Sequence, residues 1–580
     1  MNKIGINNGK LAEWEESPFL DIFRTMSQPI PGNITQSWDI GGIVQTDNNG
    51  YPNSLENGQG VHFSRYSIGI DPGDYYCLYD GTIGSLSYHN DIALVNKVSQ
   101  GKDLVRIVNS SNSILIHLAN AGAKGEDYIR NIRLIPVGSE NTYLTQPFTQ
   151  PYLGLLKGFD TIRSMDATLT NELGVNANWG ANPATFSENI LTWEKRARLD
   201  QVTWCAPDGR PNVSANLTPG LPIEILVSLS NILGSKLWVN IPTGADDEYI
   251  TGLAKYIKDN LNPALKVYVE YSNETWNGGF NGEHLTEQLG IVDPAITSHP
   301  ILTSGQFGTL GSSAYNFVAG ALWSTRRSIE ALAIFNNVFA GSDGVIGVLG
   351  AWAADASYAG QCLSYAKSVD GGLSNIKAVA IAPYFGDCLN GLTDDQILGM
   401  SYDQLAFTVN SELPNIYSRI SNHIELLKKY PGIRLLGYEG GQTIIPTKGT
   451  LAYLTGFQKS PQMGKLYSNF LGQWDELTNG SLILPYNAYG EYGKWGMWGM
   501  RQKIDDPITP KEEAIRYYTS TPAVTPPAVT SPVVTSPVVT PPVTFIYVYL
   551  PTSEIPESLA KYAVNNIPYT QLAIPEDKIQ

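Results

Sequence analysis

Charge is what this chain has least of. Only 16% of its 580 residues are Asp, Glu, Lys or Arg, against the ~25% usual in soluble domains. Acids outnumber bases 54 to 38, a net charge of -16, which repels phosphate backbones and argues against nucleic acid as a partner. No apolar run approaches the ~20 residues of a membrane span. Four cysteines cannot staple a chain of this length. No Cys-x-x-Cys or His/Cys spacing suggests a zinc site, and no other metal or cofactor is called for. Cys77, Cys205, Cys362 and Cys388 read as plain buried thiols, with a Cys362–Cys388 bridge as the alternative. The opening MNKIGIN is too short and polar for the apolar segment of an export signal.

What is abundant is apolar and uncharged polar. Hydrophobic residues make up 42% of the chain, with 56 Gly, 36 Pro and 32 Tyr. That supports a large core beneath a hydroxyl- and amide-rich surface suited to neutral glycans. The expected location is extracellular, or attached to a surface or particle. Either an export signal has been removed or the exit route needs none.

Residues 28–140 alternate Gly/Asn/Asp turns with short strand-like runs such as YSIGI, LVRIV and ILIHLAN, the spacing of a β-sandwich. Tyr66, Tyr75, Tyr76 and Tyr88 there read either as glycan-binding surface or as β-formers packing one face. Residues 141–518 change to strand-then-helix units. Strands are expected at DTIRSMDA, SKLWVNIP, LKVYVEYS, GVIGVLGAW, IKAVAIAPY, IRLLGYEG and SLILPYNAY. Helices are expected at DDEYITGLAKYIKDNL, AYNFVAGALWSTRRSIEALAIF and NIYSRISNHIELLKKY. With KIGIN there are eight strands, the arithmetic of a (β/α)8 TIM barrel. Residues 1–27 then hold its first strand and helix (PFLDIFRTM), and the sandwich is an insertion behind them. A doubly wound sheet is the competing fold, but no glycine-rich phosphate loop follows any strand. Residues 519–544 form a Pro/Thr/Val repeat, an extended linker. Residues 545–580 form a tail with a strand at Phe545–Leu550 and a short helix over Glu554–Asn565, either floppy or a docking or anchoring segment.

In a barrel the active groups sit where strands end and βα loops converge. Glu274 ends the fourth strand and Glu439 the seventh. Two carboxylates ~5 Å apart across a cleft support retaining glycoside hydrolysis, one attacking the anomeric carbon and the other protonating the leaving oxygen. Glu270, four residues earlier on the same strand, lies deeper and suits a structural role. Taken singly, a Glu at a strand end is more often solvated or salt-bridged than catalytic. Arg163 reads either as support for a catalytic carboxylate or as a partner neutralising Asp166. Asp246 and Asp247 read equally as sugar contacts and as caps of the following helix. Trp276, Trp352 and Trp498 read as packing or cleft lining. The six histidines form no metal pair and no Ser/His/Asp set, and His423, within a helix-like run, reads as structural.

The string VYVEYSNETWN at 267–277 resembles the Asn-Glu signature on strand four of clan A glycoside hydrolases, and is most similar to a bacterial group carrying EYSNE-W-N. The resemblance extends to Pro18–Asp21, Asp47–Pro52, Tyr128–Leu134, Ile162–Asp166 with Asn171, Ile241–Pro242 with Ala245–Asp247, and Tyr438–Gly440, covering roughly residues 1–515. It implies Glu274 as general acid/base, Glu439 as nucleophile and Asn273 on the sugar 2-OH. It further implies Arg163 as the cation holding the nucleophile ionised, Tyr384 as a hydroxyl donor beside it and Trp495 as a platform under the sugar. Trp276 and Asp246 complete the expected substrate contacts. Thr275 stands where many clan members have Pro. The expected activity is endo-type cleavage of β-glycosidic bonds in a polysaccharide. The alternatives are a non-catalytic carbohydrate-binding or adhesion protein on a degenerate barrel, and a surface- or virion-associated glycan-recognising component.

Overall fold

Short β-rich runs buried on both faces need helices on both flanks, and that pattern builds the main unit. VYVEY is buried at all five positions, as a parallel barrel strand must be, with one side chain set inside the barrel and the other under the helices. The computed structural model describes residues 4–33, 38–55, 60–108, 113–120, 127–171, 190–206 and 220–520. Beyond these it gives the backbone of Phe545–Pro551, Ala563–Val564 and Tyr569–Pro575. Met1–Val524 and Thr525–Gln580 are two separate compact units.

Seven parallel strands lie side by side in chain order: β1 (Ile6–Asn7), β2 (Thr161–Arg163), β3 (Lys236–Ile241), β4 (Val267–Tyr271), β5 (Val345–Gly350), β6 (Ile376–Ile381) and β7 (Arg434–Gly437). Residues 482–485, within the eighth expected strand, join the last to the first. Gly437 N–H donates to Leu482 O at 2.9 Å and Gly5 N–H to Ile483 O at 3.0 Å. The fold is therefore an α/β barrel. Trp238, Tyr268, Val348, Ala380, Leu436, Tyr438 and Leu484 fill its interior.

The outer layer includes α1 (Gln150–Leu156), α2 (Ile223–Leu233), α3 (Asp247–Asn260), α4 (Ser313–Val338), α5 (Ala356–Ser368), α6 (Tyr402–Leu427), α7 (Pro461–Thr478) and α8 (Pro510–Ser520). Two helices differ from expectation. The stretch PFLDIFRTM forms only a 3-10 turn at Ile22–Thr25. All of its residues but the half-buried Leu20 are buried, with Ile22, Phe23 and Met26 in the core of the β-rich region, so it has no solvent face for a helix to continue along. The element before β2 is instead α1. Helix α6 starts thirteen residues before Asn415 and runs through Pro414. A Ser401/Gln404 capping box opens it, and Leu405, Val409, Leu413, Ile416 and Ile420 continue one buried face past the proline.

Between β1 and β2 lie two four-stranded antiparallel sheets. One joins Ile30–Gly32, Gly60–Tyr66, Ser113–Ala119 and Ser85–Asn90; the other joins Arg130–Pro136, Gly73–Asp80, Lys102–Ile107 and Ile92–Ser99. Val61, Phe63, Ile116, Cys77, Val105 and Leu134 from the two sheets share one apolar cluster. The four tyrosines divide. Tyr75 is buried, Tyr88 donates to Asp103 Oδ2 at 2.8 Å, Tyr76 carries the Lys102 ammonium 3.7 Å from its ring centre, and Tyr66 is half exposed.

All four cysteines are free thiols. The Cys362–Cys388 bridge does not form, because the two point at different helices: Cys362 Sγ toward Ala321 O on α4 and Cys388 Sγ toward Thr408 O on α6. Most of the expected linker lies outside the described residues, its first two residues closing α8. In the tail, Phe545–Pro551 pairs with Tyr569–Pro575, which pairs with Ala563–Val564. The helix expected over Glu554–Asn565 lies mostly outside the described residues, and its described part is this strand. No helix among the described residues is long and apolar enough to cross a membrane.

Candidate active site

The ends of β1, β2, β4 and β7 converge on one buried cation. Arg163 closes β2 and is fully buried. Its Nη1 donates to Glu439 Oε1 at 2.8 Å and to Asn7 Oδ1 at 3.1 Å; its Nη2 donates to Asn273 Oδ1 at 2.8 Å and to Glu270 Oε2 at 3.2 Å. Burial opposes its charge, but Glu270 and Glu439 outweigh burial and hold its pKa above the ordinary arginine value. Asp166 is held from elsewhere, by the Tyr486 hydroxyl.

Glu270 has the structural environment expected of it. The same oxygen that meets Arg163 accepts from Trp238 Nε1 at 2.9 Å and Asn240 Nδ2 at 2.8 Å. A buried charge so supplied with donors is compensated in place. Gly350 on β5 leaves it room, since a Cβ there would meet Glu270 Oε1 at 3.0 Å and the Trp276 ring at 3.3 Å.

Glu274 and Glu439 stand beyond this cation with different partners. Glu439 follows β7 and is 6% exposed; its Oε2 accepts from the Tyr384 hydroxyl at 2.8 Å. Burial pushes its carboxyl up to about 8, Arg163 opposes, the charges of Glu274 and Asp166 add to the rise, and the Tyr384 hydrogen bond opposes it. Among the described residues no cation pairs with Glu274. Its Oε1 meets the Tyr438 hydroxyl at 2.5 Å and its Oε2 accepts from Asn277 Nδ2 at 2.8 Å. Ser272 and Glu274 both adopt left-handed backbone, φ 61° and 45°, a conformation costing of order 1–3 kcal/mol each. The turn they make lifts the Glu274 carboxylate to the barrel mouth. Burial, then neighbouring carboxylates, push the phenols of Tyr384, Tyr438 and Tyr486 well above the ordinary tyrosine value, so all three stay protonated.

The two carboxylates are thus chemically unequal. A guanidinium only donates and is always charged, so Glu439 Oε1 is fixed as an acceptor. A phenol hydroxyl donates or accepts, so Tyr438 serves Glu274 in either protonation state. No family model matches the chain, and no curated protein matches it. Solved structures similar to it are glycoside hydrolases. The GH51 arabinofuranosidase from Xanthomonas axonopodis pv. citri shares 13% identity over 64% of each chain, with a TM-score of 0.38. The CBM22-1 and GH10 modules of endo-1,4-β-D-xylanase 10B from Clostridium thermocellum share 11% identity over 80% of this chain and 91% of that one, with a TM-score of 0.35. Xylanase 10C from Cellvibrio japonicus shares 11% over 86% and 98%, with a TM-score of 0.29. The chain spans under two thirds of the arabinofuranosidase, and at these identities no activity transfers from any of them.

A cleft of about 490 Å³ opens beside Glu274, lined also by Trp276, Trp352, Tyr384, Tyr438 and Arg419. Of the expected substrate contacts Trp276 and Tyr384 line it, while Asn273, Arg163, Trp495 and Asp246 do not. Trp495 is 76% exposed. It sits at the tip of a tight turn closed by paired Gly493 and Gly496 backbone hydrogen bonds, which holds it out in solvent under the Lys494 ammonium. The aromatic following residues 482–485 is Tyr486, half-buried beside Asp166, Glu439 and Arg163 and packed edge-on to Trp498. Asp246 is the N-cap of α3, its carboxylate accepting from Tyr249 N–H at 2.7 Å, and Asp247 pairs with Arg327. Replacing Asp246 with Ala is expected to cost about 1 kcal/mol of stability, read by denaturant unfolding. A loss of glycan affinity at full stability would support the sugar-contact reading.

Sequence reasoning missed Asn7 and Tyr438. Asn7 donates to Tyr438 O at 2.9 Å and Leu484 O at 3.1 Å while accepting from Arg163, tying β1, β2, β7 and residues 482–485 together. The available signal was an Asn ending an otherwise apolar first strand. Among the described residues no group of three or more His, Cys, Asp or Glu could hold a metal ion.

Proposed function

We propose that this protein is a retaining glycoside hydrolase that cleaves β-glycosidic bonds of a polysaccharide outside the cell, with Glu439 as nucleophile and Glu274 as general acid/base. The observation that carries the reading is the unequal carboxylate pair at the ends of β4 and β7. The two are close enough to repel, one is gripped by a donor-only cation, and the other stands at the cleft with partners that tolerate either protonation state. Pairs whose surroundings differ in this way carry acid and nucleophile roles in glycosidases.

In the first step a Glu439 oxygen attacks the anomeric carbon and an ester bond forms. The bond from that carbon to the leaving oxygen breaks, and Glu274 gives that oxygen its proton. In the second, the Glu274 carboxylate takes a proton from water, the water oxygen attacks the same carbon, and Glu439 is released. Asn273, its Oδ1 fixed by Arg163, presents its amide nitrogen to the sugar 2-OH. Glu439 must be ionised to attack and burial raises its carboxyl, so activity should rise with pH through a range above that of an ordinary carboxylate, for as long as Glu274 keeps its proton.

The test is to incubate the protein with β-glucans, xylans, mannans and bacterial exopolysaccharides and to measure new reducing ends. Release by the wild type, lost in Glu274→Gln, supports the enzyme. Tight binding without release from any glycan replaces it with a binding protein.

A further inference from the structure

The cleft beside Glu274 is larger and more aromatic than the two-carboxylate chemistry requires. Its volume of about 490 Å³ lies within the roughly 300–1,000 Å³ of small-molecule sites. Two indoles form part of its wall, Trp276 just after the β4 turn and Trp352 just past β5. The buried Tyr358 and the half-buried Phe317 set their planes. Trp276 meets Tyr358 edge-on at 5.2 Å, Trp352 meets Phe317 edge-on at 6.5 Å, and Phe317 in turn meets Tyr358 at 5.7 Å. Trp352 is nevertheless 42% exposed. An indole fixed by its neighbours and still open on a cleft is a preorganised flat apolar surface.

Such a surface matches the C–H face of a pyranose, most of all a β-linked one whose hydroxyls are equatorial and leave both faces flat. Hydrogen-bonding groups stand around it, with Arg419 and Glu412 of α6 also lining the cleft. Its position relative to the carboxylates gives it a direction. Glu274 lines the cleft, while Glu439, Arg163 and Asn273 do not. The oxygen that Glu274 protonates departs with the part of the glycan lying on its own side.

We infer that this cleft binds the leaving-group half of a β-linked glycan, with Trp352 stacking on a pyranose ring beyond the bond that is cleaved. The inference rests on the proposed glycosidase reading for its direction, but the sugar site is tested by binding alone.

The full chain is titrated calorimetrically with xylohexaose, cellohexaose and mannohexaose. At least one is expected to bind, and Trp352→Ala should weaken the tightest of them by about tenfold, the worth of one aromatic stacking contact. Trp352→Phe, which keeps a smaller ring, should weaken it less. Trp352→Leu fills similar space without a flat face; it is expected to behave like Trp352→Ala and stands in for it if that variant does not fold. Binding without any release of reducing ends would leave this site standing while removing the enzyme reading. Equal affinity of wild type and the Ala or Leu variant, or no binding of any of the three hexaoses, overturns it.

Discussion

Glu439→Gln is expected to lose at least about 10³-fold in kcat on whichever glycan the wild type cleaves, as removal of a covalent nucleophile does. The same variant should be the more stable protein, by an amount that depends on pH. The Glu439 carboxyl stands at about 8 in the fold, against 4.5 for a free side chain. Between those values the unfolded chain has released the proton while the fold retains it. Wild-type stability therefore falls as pH rises from 4.5 to 8 and stays lowered above that. Gln carries no proton to release, so the variant lacks this slope. Its advantage opens above pH 4.5 and reaches its full size, on the order of a few kcal/mol, above pH 8. Thermal melts of both proteins at pH 4, 6 and 8.5 read the difference. Parallel melting curves at all three, or retained kcat, would exclude Glu439 as the nucleophile held at a stability cost.

Arg163 carries the second large effect. Its replacement by Met leaves Glu270 and Glu439 buried with neutral donors only. Breaking a buried pair from one side costs about 3–5 kcal/mol, and here one cation serves two carboxylates. The electrostatic consequence has a definite sign. Arg163 pulls the Glu439 carboxyl down against burial, so removing it raises that group further. The ionised form then appears only at higher pH, and the acidic limb of kcat/KM moves upward from about 8. Arg163→Lys retains one charge on a single compact head and should move the limb less, with a smaller stability loss; it also serves if the Met variant does not fold. A pH profile of kcat/KM for wild type and both variants is the measurement. Limbs that coincide would mean that Arg163 is structural support for Glu270 and does not control Glu439.

The strand positions were legible because a parallel barrel strand leaves a local trace: a short apolar run buried on both faces between two helical segments. Val267–Tyr271 shows that trace plainly, whereas the apolar residues of PFLDIFRTM are buried by the neighbouring sheets and carry the pattern of a helix without forming one. Glu274 and Glu439 were legible for the same local reason, as carboxylates at the ends of such runs. Trp495 stands outside the residues that line the cleft because a glycine-closed turn holds its ring in solvent. Asp246 stayed ambiguous because a cap and a sugar ligand require the same residue type before a helix.

By itself the sequence determined where β1 to β7 run, which two carboxylates end β4 and β7, and that the surface is poor in charge. Those properties reside in the spacing of apolar and polar residues along a few consecutive positions. The tertiary structure alone decided which groups hold those carboxylates. Arg163 meets Glu439 across 276 positions of chain, Tyr438 meets Glu274 across 164, and Asn7 meets Leu484 across 477. Barrel closure brings together strand ends that no local pattern relates. Their chemical inequality, one beside a cation and one beside a hydroxyl and an amide, is a property of that closure.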